Sequence, residues 1–270
     1  MKKKIKLYDS TLRDGAQTIG VNFSLNDKLK IISLLDEIGI DYIEGGWPGA
    51  NPTDNVFFQK LPKLRNSKAV AFGMMRKFGK SSQNDSGLNA VLNSGVSTVC
   101  LVGKSWDFHV KNALKIPLNK NLDMISDTIA FASKRVDEVL FDAEHFFDGY
   151  KNNKEYSLNS IKRAYDAGAN WIILCDTNGG TLPHELENIF NEVKKVVPES
   201  MIGVHFHNDT DNATYNSLES IRQGITQVQG TFNGLGERCG NANLINVAAN
   251  AILKMGFESV SYTHLRAHET

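Results

Sequence analysis

Short apolar runs alternate with longer stretches at helical spacing along nearly the whole chain. Residues 5–8 read as a strand, and residues 27–38 carry Leu29, Ile31, Ile32, Leu34, Leu35 and Ile38 at helical spacing. Ser24 or Asn26 can cap that helix and Gly39 ends it. The pattern then predicts strands over 42–44, 69–72, 98–102, 138–141, 171–174, 201–204 and 226–232. Between and after them it predicts helices over 53–61, 88–93, 122–133, 158–167, 185–197, 213–222 and 244–254. Pro183 and Pro198 bracket the helix at 185–197, and the strand after it runs into His205.

An internal echo supports the count. Glu37-Ile-Gly39, Asn93-Ser-Gly95, Asp166-Ala-Gly168 and Arg222-Gln-Gly224 each end a helix with glycine, and each is followed by a strand. The strands are continuous apolar runs, as expected where both faces are covered, and helix-linked neighbours must be parallel. Eight such units in this length predict an α/β protein folded as a closed parallel (β/α)8 TIM barrel over residues 1–258. An open doubly wound sheet ranks below it, because no Gly-x-Gly-x-x-Gly follows the first strand.

With 41% hydrophobic residues the chain can bury a sizeable core, and 30 basic against 30 acidic residues give no charge bias toward nucleic acid or membrane. Cys100, Cys175 and Cys239 are far apart and form no Cys-x-x-Cys pair, which fits reduced thiols in a cytoplasmic protein. The basic start, Met1-Lys-Lys-Lys4, has no apolar run behind it and is not read as a signal peptide. No apolar run reaches the ~18 residues that a membrane helix needs. The last residues, 259–270, resemble a translated sequencing adapter, so they are read as an artefact tail and His264 and His268 receive no role.

Chemistry gathers at the predicted strand ends, where a barrel of this kind builds its active face. Those ends carry Arg13-Asp14, Glu44, Glu144, Asp176-Thr177, His205-Phe-His207 and the glycine-rich Gly234-Leu-Gly-Glu-Arg-Cys-Gly-Asn241. Two histidines at i and i+2 on a strand share a face and suit a divalent cation, although a hydrogen-bonded surface pair gives the same spacing. Arg13-Asp14 can equally be an ordinary surface pair, and Asp176-Thr177 a turn cap.

Three stretches, Leu7-Tyr-Asp-Ser-Thr-Leu-Arg-Asp-Gly15, Val204-His-Phe-His-Asn-Asp209 and Gly236-Glu-Arg-Cys-Gly-Asn-Ala242, resemble the signatures of the DRE-TIM metallolyases. Four further segments resemble the citramalate synthase branch of that family: Tyr42-Ile-Glu-Gly-Gly-Trp-Pro-Gly49, Trp106-Asp-Phe-His109, Phe141-Asp-Ala-Glu-His-Phe-Phe-Asp-Gly-Tyr150 and Cys175-Asp-Thr-Asn-Gly-Gly-Thr-Leu-Pro183. The resemblance implies a divalent metal (Mg²⁺, Mn²⁺ or Zn²⁺) on Asp14, His205, His207 and Asn241. It implies Arg13 on the keto oxygen of a 2-oxo acid, Thr177 on its carboxylate, Glu144 in proton transfer or in ordering the metal end of the site, and Glu44 in a supporting substrate role. The implied reaction is a Claisen-type condensation of acetyl-CoA with pyruvate to (R)-citramalate, in isoleucine biosynthesis, by a protein that is a homodimer when full length. In that family, groups downstream of the barrel complete the site and a further domain binds a feedback effector, so the 270 residues alone are expected to bind metal but condense poorly.

Rival readings are an aldol-cleaving lyase on the same metal, a non-haem iron oxygenase with two histidines and a carboxylate, and an inert barrel fragment. Cys239 has no neighbouring histidine in sequence to activate it. Trp47 and Trp106 read as packing at the barrel mouth.

Overall fold

The computed structural model describes residues 4–259; the adapter-like segment at 260–270 lies outside them. Eight parallel strands close a barrel in sequence order: β1 Lys6–Asp9, β2 Tyr42–Gly46, β3 Lys68–Met74, β4 Thr98–Lys104, β5 Glu138–Glu144, β6 Trp171–Asp176, β7 Ile202–Phe206 and β8 Gln227–Gly230. Closure is made by β1 and β8, registered from Lys6 opposite Gln227 to Asp9 opposite Gly230.

Side chains alternate between two cores, as the strand period of two requires. Inside the barrel, Tyr8, Val70, Phe72, Cys100, Leu140, Trp171, Ile173 and Cys175 pack on one another. Their neighbours Leu7, Ala71, Leu101, Phe141, Ile172, Leu174 and Val204 point outward against the helices. Both faces are therefore apolar, which is why the strands read as unbroken runs. At the N-terminal end, Glu138 closes the interior by accepting from Tyr42 Oη (2.8 Å), Trp171 Nε1 (3.1 Å) and Lys68 Nζ (2.6 Å).

The predicted helices are present. The helix Ala213–Arg222 has the bounds expected, and Leu25–Ile38 begins at Ser24, not Asn26, with a reciprocal Ser24–Asp27 capping box. The differences from the pattern lie at element ends and in added helical segments, of which Asp107–His109 with Val110–Leu114 is one. Strands β2 to β7 run two or three residues past their predicted C-terminal ends, where residues such as Gly45, Gly103, Asp142 and His205 break the apolar run, whereas β8 stops at Gly230, short of the expected 232, because Phe232–Gly234 turns into a short helix. The helix Phe146–Asn152 is an addition; it starts at His145 in a left-handed conformation (φ 55°) and carries no capping side chain that a sequence could advertise. No helix among the described residues is long and apolar enough to cross a membrane.

A buried ion pair fixes one rim of the barrel mouth. Lys28 Nζ meets Asp54 Oδ1 and also donates to Gly45 O (3.0 Å), while Asp54 Oδ2 accepts from Trp47 N (2.8 Å) and Asn51 Nδ2 (2.8 Å). Gly46 (φ 146°) has to be glycine here, since a Cβ would lie 2.4 Å from the Asp54 carboxyl carbon. Asp54→Ala strands the Lys28 charge, and the expected loss is about 3–5 kcal/mol. Thermal unfolding checks this; a melting temperature within a degree of wild type would show that the pair contributes nothing.

Candidate metal centre and active site

Beyond β1 the chain turns tightly. Asp9 accepts from Thr11 N (3.0 Å) and Thr11 Oγ1 (2.7 Å), and Gly15 N donates to Ser10 O (3.0 Å). That turn lifts Arg13 and Asp14 to the barrel mouth. Glu44, in β2, is fully buried beneath them and accepts from Tyr8 Oη (2.7 Å), from Ser10 Oγ and from Arg13 Nε (2.7 Å). The Arg13 guanidinium lies 4.0 Å above the Phe72 ring and 3.5 Å from Asp14 Oδ2. Burial alone would discourage its charge, but Glu44 and Asp14 outweigh that and raise its pKa.

His205 and His207 project from the end of β7 on the same face. Their Nε2 atoms lie 3.5 and 3.9 Å from Asp14 Oδ2. One ligand atom from each of Asp14, His205 and His207 falls within a 4.8 Å cluster, and all three residues are buried. Asn241 reaches them through the loop after β8, whose backbone bridges Asn241 to His207. Gly240 (φ 92°) makes that loop possible, because a Cβ there would sit 2.0 Å from Gly234 O. Two latches hold the loop down: Arg238 forms a bidentate pair with Asp209 (2.8 and 3.0 Å), and Gly236 N donates to Thr18 Oγ1 (2.7 Å).

The polar atoms of this cluster fit a cation. Asn241 Nδ2 donates to Leu235 O (3.0 Å), which turns Oδ1 the other way, and that oxygen has no hydrogen-bond partner. Asp14 Oδ1 and His207 Nδ1 are likewise buried and unpartnered. Buried polar atoms are normally satisfied, and orphaned oxygens on Asp14 and Asn241 beside two imidazoles suit an electrophile. A second layer sets the tautomer of His205. Its Nδ1 donates to Gln229 Oε1 (2.9 Å), leaving the Nε2 lone pair toward Asp14, and Gln229 Nε2 donates to Asp142 Oδ1 (3.3 Å). Burial and neighbouring His205 hold the His207 pKa low, so its imidazole is the neutral ligand form at pH 7. Burial pushes Asp14 up, but Arg13, His205, His207 and Asn241 together bring its pKa below the usual carboxylate range.

A cavity of about 230 Å³ opens beside this cluster, lined by Arg13, Asp14, His205, His207, Glu144, Thr177, Gln17 and Glu237, with Trp47, Phe72, Met74 and Val102 as its apolar wall. Of the site residues expected from the sequence, Arg13, Asp14, Glu144, Thr177, His205 and His207 line the cavity; Asn241 sits beside it on the loop bridged to His207, and Glu44 lies behind Arg13. Glu144 is paired with Lys104 (2.5 Å), and Thr177 Oγ1 accepts from His145 N (2.9 Å). Sequence reasoning missed Gln229 and Asp142. A glutamine inside a barrel strand, registered opposite His205, was the available signal. Trp47 packs on Phe72 and Trp106 on Phe108 and His109, at the mouth as expected. Cys239 is exposed, while Cys100 and Cys175 are buried.

Fold and site together define a β/α barrel able to hold a divalent cation on mixed nitrogen and oxygen donors at its C-terminal face. The chain belongs to the HMGL-like family, whose model matches residues 4–269. It is 49% identical to the (R)-citramalate synthase of Aquifex aeolicus over 98% of this chain and 51% of that one. To the 2-isopropylmalate synthase of Sulfurisphaera tokodaii it is 30% identical, over 99% and 67%. The chain spans about half the length of the curated citramalate synthases it matches. Among solved structures, the HMG-CoA lyase of Bacillus subtilis superposes with a TM-score of 0.81 at 18% identity, covering 99% of both chains; that likeness concerns the fold.

Two substitutions probe the cluster. His207→Ala is expected to abolish retained metal by elemental analysis while the circular dichroism of the barrel is kept. Gln229→Leu should weaken metal binding by about 10–100-fold through the His205 tautomer. Unchanged metal content in both would remove the cation from this site.

Proposed function

We propose that this barrel is the condensing domain of a citramalate synthase, which joins the methyl carbon of acetyl-CoA to the keto carbon of pyruvate, water then cleaving the thioester to release CoA and (R)-citramalate. The carrying observation is that the Arg13 guanidinium and the Asp14 carboxylate line one small cavity with an apolar wall, and that the unpartnered Asn241 oxygen lies beside it on the loop bridged to His207. A 2-oxo acid matches that site: two adjacent oxygens for the polar side and a methyl group for Trp47, Phe72, Met74 and Val102.

Asp14, His205, His207 and Asn241 hold the divalent ion, Mg²⁺, Mn²⁺ or Zn²⁺, which when bound supplies Lewis acidity toward the keto group. Arg13 is held rigid by Glu44 and Phe72, and it donates to the keto oxygen as negative charge builds there. Its donors are already aimed before the reaction begins, so no reorganisation is needed at the transition state. Thr177 donates to the substrate carboxylate. Glu144, beside Lys104, moves a proton at the same end of the cavity. Glu44 acts through Arg13, not on substrate. Identity to curated citramalate synthases at 42–49%, against 30–33% to 2-isopropylmalate synthases, favours pyruvate over a branched 2-oxo acid. The reading carries with it a cytoplasmic enzyme of isoleucine biosynthesis that is a homodimer when full length.

A thiol-reagent assay of CoA release tests the proposal, run on the full-length protein with pyruvate, 2-oxobutyrate, 2-oxoisovalerate and 2-oxoglutarate. Pyruvate should give the highest kcat/KM; a preference for 2-oxoisovalerate would overturn the assignment. Arg13→Lys keeps the charge but loses the planar fork, and kcat should fall by about 10²–10³ with metal content unchanged.

A further inference from the structure

Two segments that the condensation does not use pack together above β4 and β5. The His109 and His145 rings meet edge to face at 4.2 Å, with Trp106 5.7 Å from His145. His145 Nδ1 lies 3.4 Å from Asp148 Oδ2, and the same oxygen accepts from Asn178 Nδ2 (3.0 Å). The His145 side chain is thus held from several directions, and its backbone occupies the left-handed region that residues other than glycine rarely adopt (φ 55°, ψ 35°).

That conformation places the His145 N–H 2.9 Å from Thr177 Oγ1. An amide N–H only donates, so the Thr177 hydroxyl accepts there and its own proton must point elsewhere. Arg238 holds the Thr177 carbonyl from the opposite side (2.7 Å), which leaves the residue little room to turn. Thr177 lines the cavity, so its proton is available to a group bound there.

We infer that His145 is a positioning residue: its left-handed backbone aims its N–H at the Thr177 hydroxyl, which turns the hydroxyl proton away from that contact and so favours an anionic acceptor in the cavity. The inference rests on the reading of Thr177 as the contact for the 2-oxo acid carboxylate. It differs from a packing role in what it demands of position 145, namely a backbone able to stay left-handed, with the ring serving only to hold it there.

Calorimetric titration of pyruvate into Mg²⁺-loaded protein separates the two. His145→Gly and His145→Asn tolerate the left-handed region and should bind pyruvate within about twofold of wild type. His145→Val does not, and should raise Kd by about tenfold as the hydroxyl loses its orientation. In a Thr177→Val background, His145→Val should add nothing further, whereas a general packing defect would cost the same in both backgrounds. Equal weakening by Gly and Val, a flat series, or additivity in the double variant would each overturn the inference while wild type still binds. Absence of pyruvate binding in the wild-type protein, with metal present, would instead overturn the condensing reading and this one with it.

Discussion

The pairing of β1 with β8 is the contact on which the site depends. Asp14 follows β1, the two histidines end β7, and Asn241 follows β8, so the cluster exists only where the last strands are brought back to the first. The hydrogen bonds at that seam belong as much to the site as to the sheet. Ser10 N donates to Gly230 O (2.9 Å), and Phe232 N donates to Thr11 Oγ1 (2.9 Å), the hydroxyl that also braces Asp9. Burial pushes the Asp9 pKa up to about 7, a sign that the seam is dry and that an ionised carboxylate there is costly. A cation that grips residues on both sides of the seam binds the closed barrel and not the open chain. Metal affinity and barrel closure are therefore linked quantities.

Charge is distributed around this seam so that each group has one task. Glu44 is out of reach of the cavity, and three donors converge on it, one of them Arg13. Its effect is to fix the direction of the guanidinium, with Phe72 below completing the seat. Asp142, which itself lines the cavity, reaches His205 through Gln229 on the other side. Arg13 and His205 are thus each held by a buried partner behind them. An active site of this kind can present charge to a substrate without rearranging first.

The barrel was legible because the apolar periods of strands and helices differ and each unit repeats them. The strand ends were not, since residues such as Glu144 and Asp176 look like loop residues until the neighbouring strand is known to pair with them. The histidine pair announced itself through its i, i+2 spacing. The barrel pattern placed Asp14 and Asn241 at strand ends, but their reading as ligands came from resemblance to a family, because periodicity tells which face a side chain is on and says nothing of which distant residue it will meet. Glu44 was placed at substrate for the same reason: proximity to the mouth was readable, whereas the intervening Arg13 was not. His145 was invisible as a helix start because its conformation is imposed by contacts with His109, Trp106 and Asp148 that no local pattern encodes.

Buried polar atoms without partners occur at both ends of the barrel, Thr98 Oγ1 and the Gln227 amide among them at the N-terminal end, but at the C-terminal end they fall on a carboxylate, an imidazole and an amide that neighbour one another. At the N-terminal end the buried carboxylate of Glu138 has three donors. At the C-terminal end Asp14, His207 and Asn241 keep buried atoms without partners although suitable donors are near; Asn241 directs its own amide nitrogen to Leu235 O instead. A fold selected for stability alone would close these valences, since each unsatisfied buried polar group costs about 1–3 kcal/mol. Their persistence is best understood as capacity held for a ligand: the latched loop from Gly234 to Asn241 spends two strong contacts, at Arg238 and Gly236, on keeping an amide oxygen bare.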